Sequence, residues 1–250
     1  MQQVLDHGYV KFVESWGSDE RIIEAARMST DKGFLGWGPV HEKTCEKIVQ
    51  SSYNDPSVVT CSCQPAAGDE KLLAYLWNNK HATPFEMGGL VIEVQAPIFV
   101  FREWHRHRTQ SYNEMSARYT PLPDVNYIPT IERLMLNSKT NKQAGTGKGA
   151  AELTELAAGA YRDRLALMYA DQERLYQEAL AAGVPKELAR IHLPVGRYSK
   201  MRASANLRNW LSFLTLRMDP SAQWEIRQYA NVVGTFIENA FPRTWELFIK

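Results

Sequence analysis

The chain reads as an α+β protein, a helix-rich single domain over residues 1–250 built around a small, mostly antiparallel sheet. Three observations carry that reading. Stretches rich in β-branched residues, the mark of strands, occur near residues 1–16 and 90–96. Helical patterns with recognisable starts and stops fill most of the rest. No repeat and no convincing linker divides the 250 residues, of which 44% are apolar and 23% charged, an ordinary globular balance.

The elements follow in order. Val4, Tyr9, Val10, Phe12 and Val13 near a Gly8 turn predict a strand over residues 1–16. Ser18-Asp19-Glu20 starts a helix carrying Ile22, Ile23, Ala25, Ala26 and Met28. From Gly33 to Gly68 the text is irregular, with a short helical patch expected around 41–52, and reads as an insertion. Asp69 is placed as the N-cap of a helix with Leu72, Leu73, Leu76 and Trp77 on one face. His81-Ala-Thr-Pro-Phe-Glu is a turn before a strand at Leu90–Ala96, and Pro97 opens a helix through Ile98, Val100 and Phe101. Residues 137–149 form a loop. The strongest helix spans about 152–182, where Tyr161, Leu165, Met168, Gln172, Leu175, Tyr176 and Ala179 recur at steps of three and four until Gly183. Pro185 begins a shorter helix carrying Arg190. Two helices close the chain, one over about 203–217 and one opening with Asp219-Pro220.

Composition narrows the function. A net charge of +1 argues against a nucleic acid or an anionic membrane as partner. No apolar run reaches the roughly 18–20 residues of a spanning helix, and the first residues lack a signal-peptide layout, so a cytoplasmic location is expected. Cys45, Cys61 and Cys63 are too few and too clustered for a disulfide framework. With His41 they could form a metal site, but Cys-x-Cys is not the usual knuckle, and free thiols are expected. No metal is assigned. Gly145-Thr-Gly-Lys-Gly149 lacks the spacing of a phosphate loop.

Positive charge is local instead. The run Arg106-His-Arg-Thr-Gln-Ser-Tyr-Asn-Glu-Met-Ser-Ala-Arg-Tyr119 holds three arginines, a histidine, a glutamate, an asparagine and two serines in fourteen residues. Each guanidinium offers five donors in a fixed fork and cannot shed its charge. Short polar neighbours can accept from, or donate to, a ribose or base. The chemistry is that of a cradle for an anion with a polar, planar part, such as a nucleotide.

The pattern Arg106-His-Arg-x-x-Ser-x-Asn-Glu-x-Ser-x-Arg118 resembles the signature of the flavin-dependent thymidylate synthases at every fixed position. The resemblance extends through Ala25-Ala-Arg-Met-Ser29, His81-x-Thr-Pro-Phe-Glu86, Ala96-Pro-Ile-Phe-Val100, Gly183-Val-Pro-x-Glu-x-Ala-Arg190, Asn206-x-Arg208, Leu216-Arg217 and Ala222-Gln-Trp-Glu225. It implies conversion of dUMP to dTMP, with 5,10-methylenetetrahydrofolate as one-carbon donor and FAD reduced by NADPH. It implies that FAD is held by Thr83, Arg106, His107, Arg108, Glu114, Asn206, Arg208 and Ser212. The nucleotide would lie against Glu103, Trp104, His105, Arg106, the stretch Glu114-Met115-Ser116-Ala117-Arg118, and Arg190 and Arg217. Arg217 is the implied catalytic residue, because a fixed cation beside the uracil favours loss of the N3 proton. The resemblance also implies a homotetramer with sites shared between subunits. No cysteine lies near the cluster in sequence, in keeping with chemistry that uses no enzyme thiolate.

Three positions depart from the pattern. Glu103 stands where family members often have glutamine, and its charge would repel a phosphate unless it pairs with an arginine or binds the ribose. Ser221 replaces a histidine that often contacts flavin. Ser212 stands at a position where a family member can carry a flavin-contacting asparagine. Other readings stay open: a nucleotide- or RNA-binding module, or a catalytically degenerate member of the family. His81 suits a turn as well as a cofactor contact, and Trp104, Trp210 and Trp224 suit the core.

Overall fold

The computed structural model describes residues 1–38, 68–136, 145 and 152–250, and the backbone of 47–49 and 59–61. A hairpin opens it: β1 (Gln2–Val4) pairs antiparallel with β2 (Gly8–Trp16). Gly8 is required at the start of β2, because a Cβ there would stand 2.0 Å from the Tyr229 hydroxyl. Then follow α1 (Asp19–Arg27), the short pair β3 (Lys47–Val49) and β4 (Val59–Cys61), and α2 (Glu70–Asn78). Next come β5 (Gly89–Pro97), α3 (Ile98–Trp104), β6 (Ser111–Glu114), α4 (Ile131–Met135) and α5 (Glu155–Ala181). The chain closes with α6 (Lys186–Ala189), β7 (Tyr198–Asn206), α7 (Leu207–Arg217), α8 (Trp224–Ala240) and α9 (Pro242–Phe248). Five strands form one sheet in the order β1-β2-β5-β7-β6, and β6 runs antiparallel to β7 with Asn113 opposite Arg202. The expected α+β class is the observed one.

The chain divides into two compact units. The first holds residues 1–14, 90–205 and 209–236; the second holds 15–89, 206–208 and 237–250. In the first, β5 alternates as a strand with one buried face should: Leu90, Ile92, Val94 and Ala96 are buried, with Glu93 and Gln95 between them. Those buried side chains share the core with Trp104, Phe213, Leu214, Tyr229 and Val233. Each Leu, Ile, Val or Phe among them contributes about 1.5–3 kcal/mol by leaving water. On the other face Glu93 accepts from Tyr9 Oη at 2.9 Å and from Arg202 at 2.9 Å, tying β2, β5 and β7 together. In the second unit Ile22, Ile23, Leu73, Leu76, Phe85 and Trp245 form the core. Asp19 is buried there and accepts from the Arg243 and Thr244 main-chain N–H groups at 2.8 and 3.2 Å.

Several expectations need correction. The helical patch around 41–52 does not hold at Lys47–Val49, which pairs as a strand with Val59–Cys61; both segments are rich in β-branched residues. The rest of that patch, the loop at 137–149 apart from Gly145, and His41, Cys45 and Cys63 lie outside the described residues, as does the Cys61 side chain. Asp69 stands at the N-cap position of α2, as expected, but its side chain makes no cap bond. Its buried carboxylate instead accepts from Arg27 and from the Leu35 main-chain N–H, the latter at 2.7 Å. Residues 203–206 belong to β7, so α7 starts only at Leu207. Asp219-Pro220 forms a turn in which the Asp219 carboxylate accepts from the Ser221 N–H at 2.7 Å, and α8 starts at Trp224.

Candidate functional site

The arginine-rich run is not a helix. After α3 the chain makes a tight turn and re-enters the sheet as β6. The turn is held by main-chain bonds from His107 N–H to Trp104 carbonyl at 3.0 Å and from Gln110 N–H to His107 carbonyl at 3.3 Å. Buried groups pin it from beneath. The Trp104 indole is fully buried, stacks on Phe213 at 4.6 Å and donates to Gln110 Oε1 at 3.1 Å. The Tyr112 hydroxyl donates to the His107 carbonyl at 2.7 Å. Burial alone pushes the pKa of that phenol well up, so it remains a donor. Gln110 and Tyr112 occupy the variable positions of the motif, and sequence reasoning passed over both.

On this foundation Arg106 and Arg108 stand exposed, and among the described residues neither guanidinium has a carboxylate partner. Glu114 is likewise exposed at the end of β6. Trp104 and Ala117, both expected against the nucleotide, have buried side chains. Ser212 is exposed on α7.

Arg217, at the last turn of α7, is held by three contacts. Its Nε donates to His107 Nε2 at 2.8 Å, Nη1 to Glu103 Oε2 at 2.9 Å and Nη2 to the Glu103 carbonyl at 2.8 Å. Glu103 therefore does pair with an arginine. His107 Nε2 acts as acceptor, so its proton sits on Nδ1 and the ring is neutral. Burial first, and then the adjacent Arg217 charge, lower its pKa from 6.5 to about 4.

At the far end of the motif, Arg118 Nε lies 3.6 Å from Glu187, and Lys186 Nζ donates to the Tyr119 carbonyl at 2.9 Å. Arg118, Tyr119, Pro185, Lys186 and Glu187 line a cleft of about 360 Å³. Arg190 caps the end of α6, about one turn beyond Lys186, and has no carboxylate partner among the described residues. Lys186 carries no signal in the motif, and only the fold brings it to Tyr119.

Thr83, Asn206 and Arg208 belong to the second unit. Thr83 opens a 3-10 turn and, with His81, Pro84, Met87, Ala25 and Leu76, lines a cleft of about 410 Å³. The exposed Arg208 pairs with Glu86. Asn206 ends β7, where the next N–H, on Leu207, donates to the Gly88 carbonyl at 2.7 Å. Among the described residues no cluster of His, Cys, Asp and Glu is arranged to hold a metal ion, and no helix is long and apolar enough to cross a membrane.

The family model described as thymidylate synthase complementing protein matches residues 11–243, and the chain belongs to that family. Its curated relatives are flavin-dependent thymidylate synthases. The one from Thermosipho melanesiensis is 36% identical over 251 residues, covering 99% of this chain and 93% of that protein. The one from Rickettsia prowazekii is 35% identical over 255 residues, covering 98% and 77%. Among solved structures, the UMP/dUMP methylase PolB from Streptomyces cacaoi bound with 5-Br UMP matches with a TM-score of 0.74. It shares 26% sequence identity, over 99% of this chain and 96% of that one.

Proposed function

We propose that the chain is a flavin-dependent thymidylate synthase, a methyltransferase that converts dUMP to dTMP. One observation carries the site assignment: Arg106 and Arg108 are displayed on a turn pinned by buried Trp104, with no carboxylate to neutralise them among the described residues. Cations so placed suit phosphate, and bidentate arginine contacts both bind and orient it. The donor chemistry fits FAD, since two neighbouring arginine forks suit its pyrophosphate. FAD supplies the redox chemistry when bound, and NADPH and 5,10-methylenetetrahydrofolate are the proposed co-substrates.

The residues proposed to hold FAD are Thr83, Arg106, His107, Arg108, Glu114, Asn206, Arg208 and Ser212. Those proposed for dUMP are Glu103, Trp104, His105, Arg106, Glu114 to Arg118, Arg190 and Arg217. Trp104 and Ala117, with buried side chains, would contribute through their main chain. Arg118 and Arg190 supply charge for the nucleotide phosphate. Arg217 supplies a fixed donor to the uracil edge, where it stabilises the base as it loses the N3 proton.

A homotetramer with shared sites is part of the same proposal, as is a cytoplasmic location. Support for assembly comes from apolar side chains left in water: Leu156 is 85% exposed, Leu167 70% and Ile191 78%. Sedimentation equilibrium measures the assembly directly. The purified protein is expected to be yellow, with the absorption of oxidised FAD, and to form dTMP from dUMP, methylenetetrahydrofolate and NADPH. Colourless protein that stays inactive with added FAD sinks the enzyme reading. Flavin and dUMP binding without turnover would mark a degenerate member instead.

A further inference from the structure

Three of the five N–H donors of Arg217 are used within the chain: Nε on His107, one Nη1 hydrogen on Glu103 Oε2 and one Nη2 hydrogen on the Glu103 carbonyl. One hydrogen remains on each terminal nitrogen, which is the number a bidentate contact to a planar ligand edge needs. The Arg217 side chain is 14% exposed and that of Glu103 46%. A solvent-touching carboxylate thus reaches down onto a mostly buried cation. The other side-chain acceptor, His107, is neutral, so Glu103 carries the only full negative charge bonded to Arg217 among the described residues.

We propose, resting on the functional reading above, that Glu103 acts on the bound pyrimidine through Arg217. It is a positioning residue that orients the guanidinium and, by offsetting its charge, weakens the pull of Arg217 on the N3 proton of a uracil base. The two roles part under substitution. Glu103→Gln keeps an acceptor oxygen for Nη1 and removes the charge. Glu103→Ala removes both, and leaves only the main-chain carbonyl and His107 to hold the guanidinium.

The test uses the full chain with flavin loaded and 5-fluoro-dUMP as ligand. 19F NMR is recorded at a fixed pH near the N3 pKa of the free ligand, where the fluorine shift reports whether the base is ionised. Glu103→Gln is expected to raise the ratio of ionised to neutral bound ligand about three- to tenfold, as removal of the charge that offsets Arg217 should. Glu103→Ala is expected to weaken binding roughly tenfold, the cost of one charge-assisted contact. In an Arg217→Ala background the Glu103→Gln change should have no effect on the ratio, since the two residues then have nothing to couple. An unchanged ratio with Glu103→Gln overturns the offsetting role. The same change persisting in the Arg217→Ala background shows direct action on the base and overturns the inference. Undiminished binding by Glu103→Ala overturns the positioning role. Failure of the unsubstituted chain to bind the nucleotide at all is a different result: it removes the functional reading and this inference with it.

Discussion

Arg197 and Arg217 each meet a glutamate in the same unit, yet one is sealed and the other is open. Arg197 is 0% exposed, donates to Glu173 at 2.6 Å, to Asp124 at 3.3 Å and to the Leu122 carbonyl at 3.0 Å. The Glu173 side chain is 13% exposed, so the sealed pair is Arg197–Glu173, whereas the more distant Asp124 is 61% exposed. Arg217 has comparable bond lengths, but its carboxylate partner is nearly half in water. Contact geometry alone would rank the two alike. The difference is solvent. Stripping one partner from a sealed pair strands a charge in low dielectric, whereas stripping one from an open pair lets water replace it.

That contrast orders the expected outcomes. Arg197→Ala should cost about 3–5 kcal/mol of stability by leaving the mostly buried Glu173 without its cation, read from chemical denaturation. Should the loss stay under about 1 kcal/mol, water already reaches the pair and the contrast breaks. Arg217→Ala should lower dTMP formation by roughly a hundred- to a thousandfold, the scale of losing one fixed donor at a reacting group, while flavin is retained and stability holds within about 1 kcal/mol. Unchanged turnover removes its assigned role. Arg108→Ala should weaken FAD retention by about tenfold, with a melting temperature close to the parent, because the side chain is exposed and has no carboxylate partner among the described residues.

A smaller effect belongs to His107. Its pKa in the fold is lowered from 6.5 to about 4. Between those values the unfolded chain binds a proton that the native state refuses, so stability rises with pH across that window and falls as pH drops from 6.5 toward 4. Above 6.5 both states are neutral and the group contributes no slope. Denaturation midpoints of His107→Gln should be less sensitive to acid in that range than those of the parent chain. The smallest change is expected for Glu187→Gln, since the Arg118 pair lies at 3.6 Å with both side chains 59% exposed. Less than about 1 kcal/mol should be lost.

Much of this was legible beforehand, for local physical reasons. The N-cap at Ser18 accepts from the Arg21 N–H, as the Ser-Asp-Glu start predicts. Gly183, at φ 84°, stops α5 within a residue or two of the expected end. Those signals depend on a few neighbouring residues. β7 was missed because Lys200-Met-Arg-Ala-Ser-Ala-Asn206 has weak strand propensity. Its alternation, with Met201, Ala203 and Ala205 buried, becomes a strand only by pairing inside the sheet. Asp69 shows the same limit: it stands at the N-cap position its place before the helix predicts, but the arrival of Arg27 and Leu35 from elsewhere gives its carboxylate other partners.

The motif itself divides in the same way. The residue order from Arg106 to Arg118, and its resemblance to flavin-dependent thymidylate synthases, needed no coordinates, because which groups can donate, accept or hold charge is fixed by side-chain chemistry. Which arginines are open was not in the sequence. Among the described residues Arg106 and Arg108 have no carboxylate partner, Arg197 is fully buried and Arg217 is clamped by Glu103 and His107, because tertiary packing decides who meets whom and how much water remains. Burial sets the local dielectric, and the dielectric decides whether the same ion pair is a structural bolt or an adjustable charge.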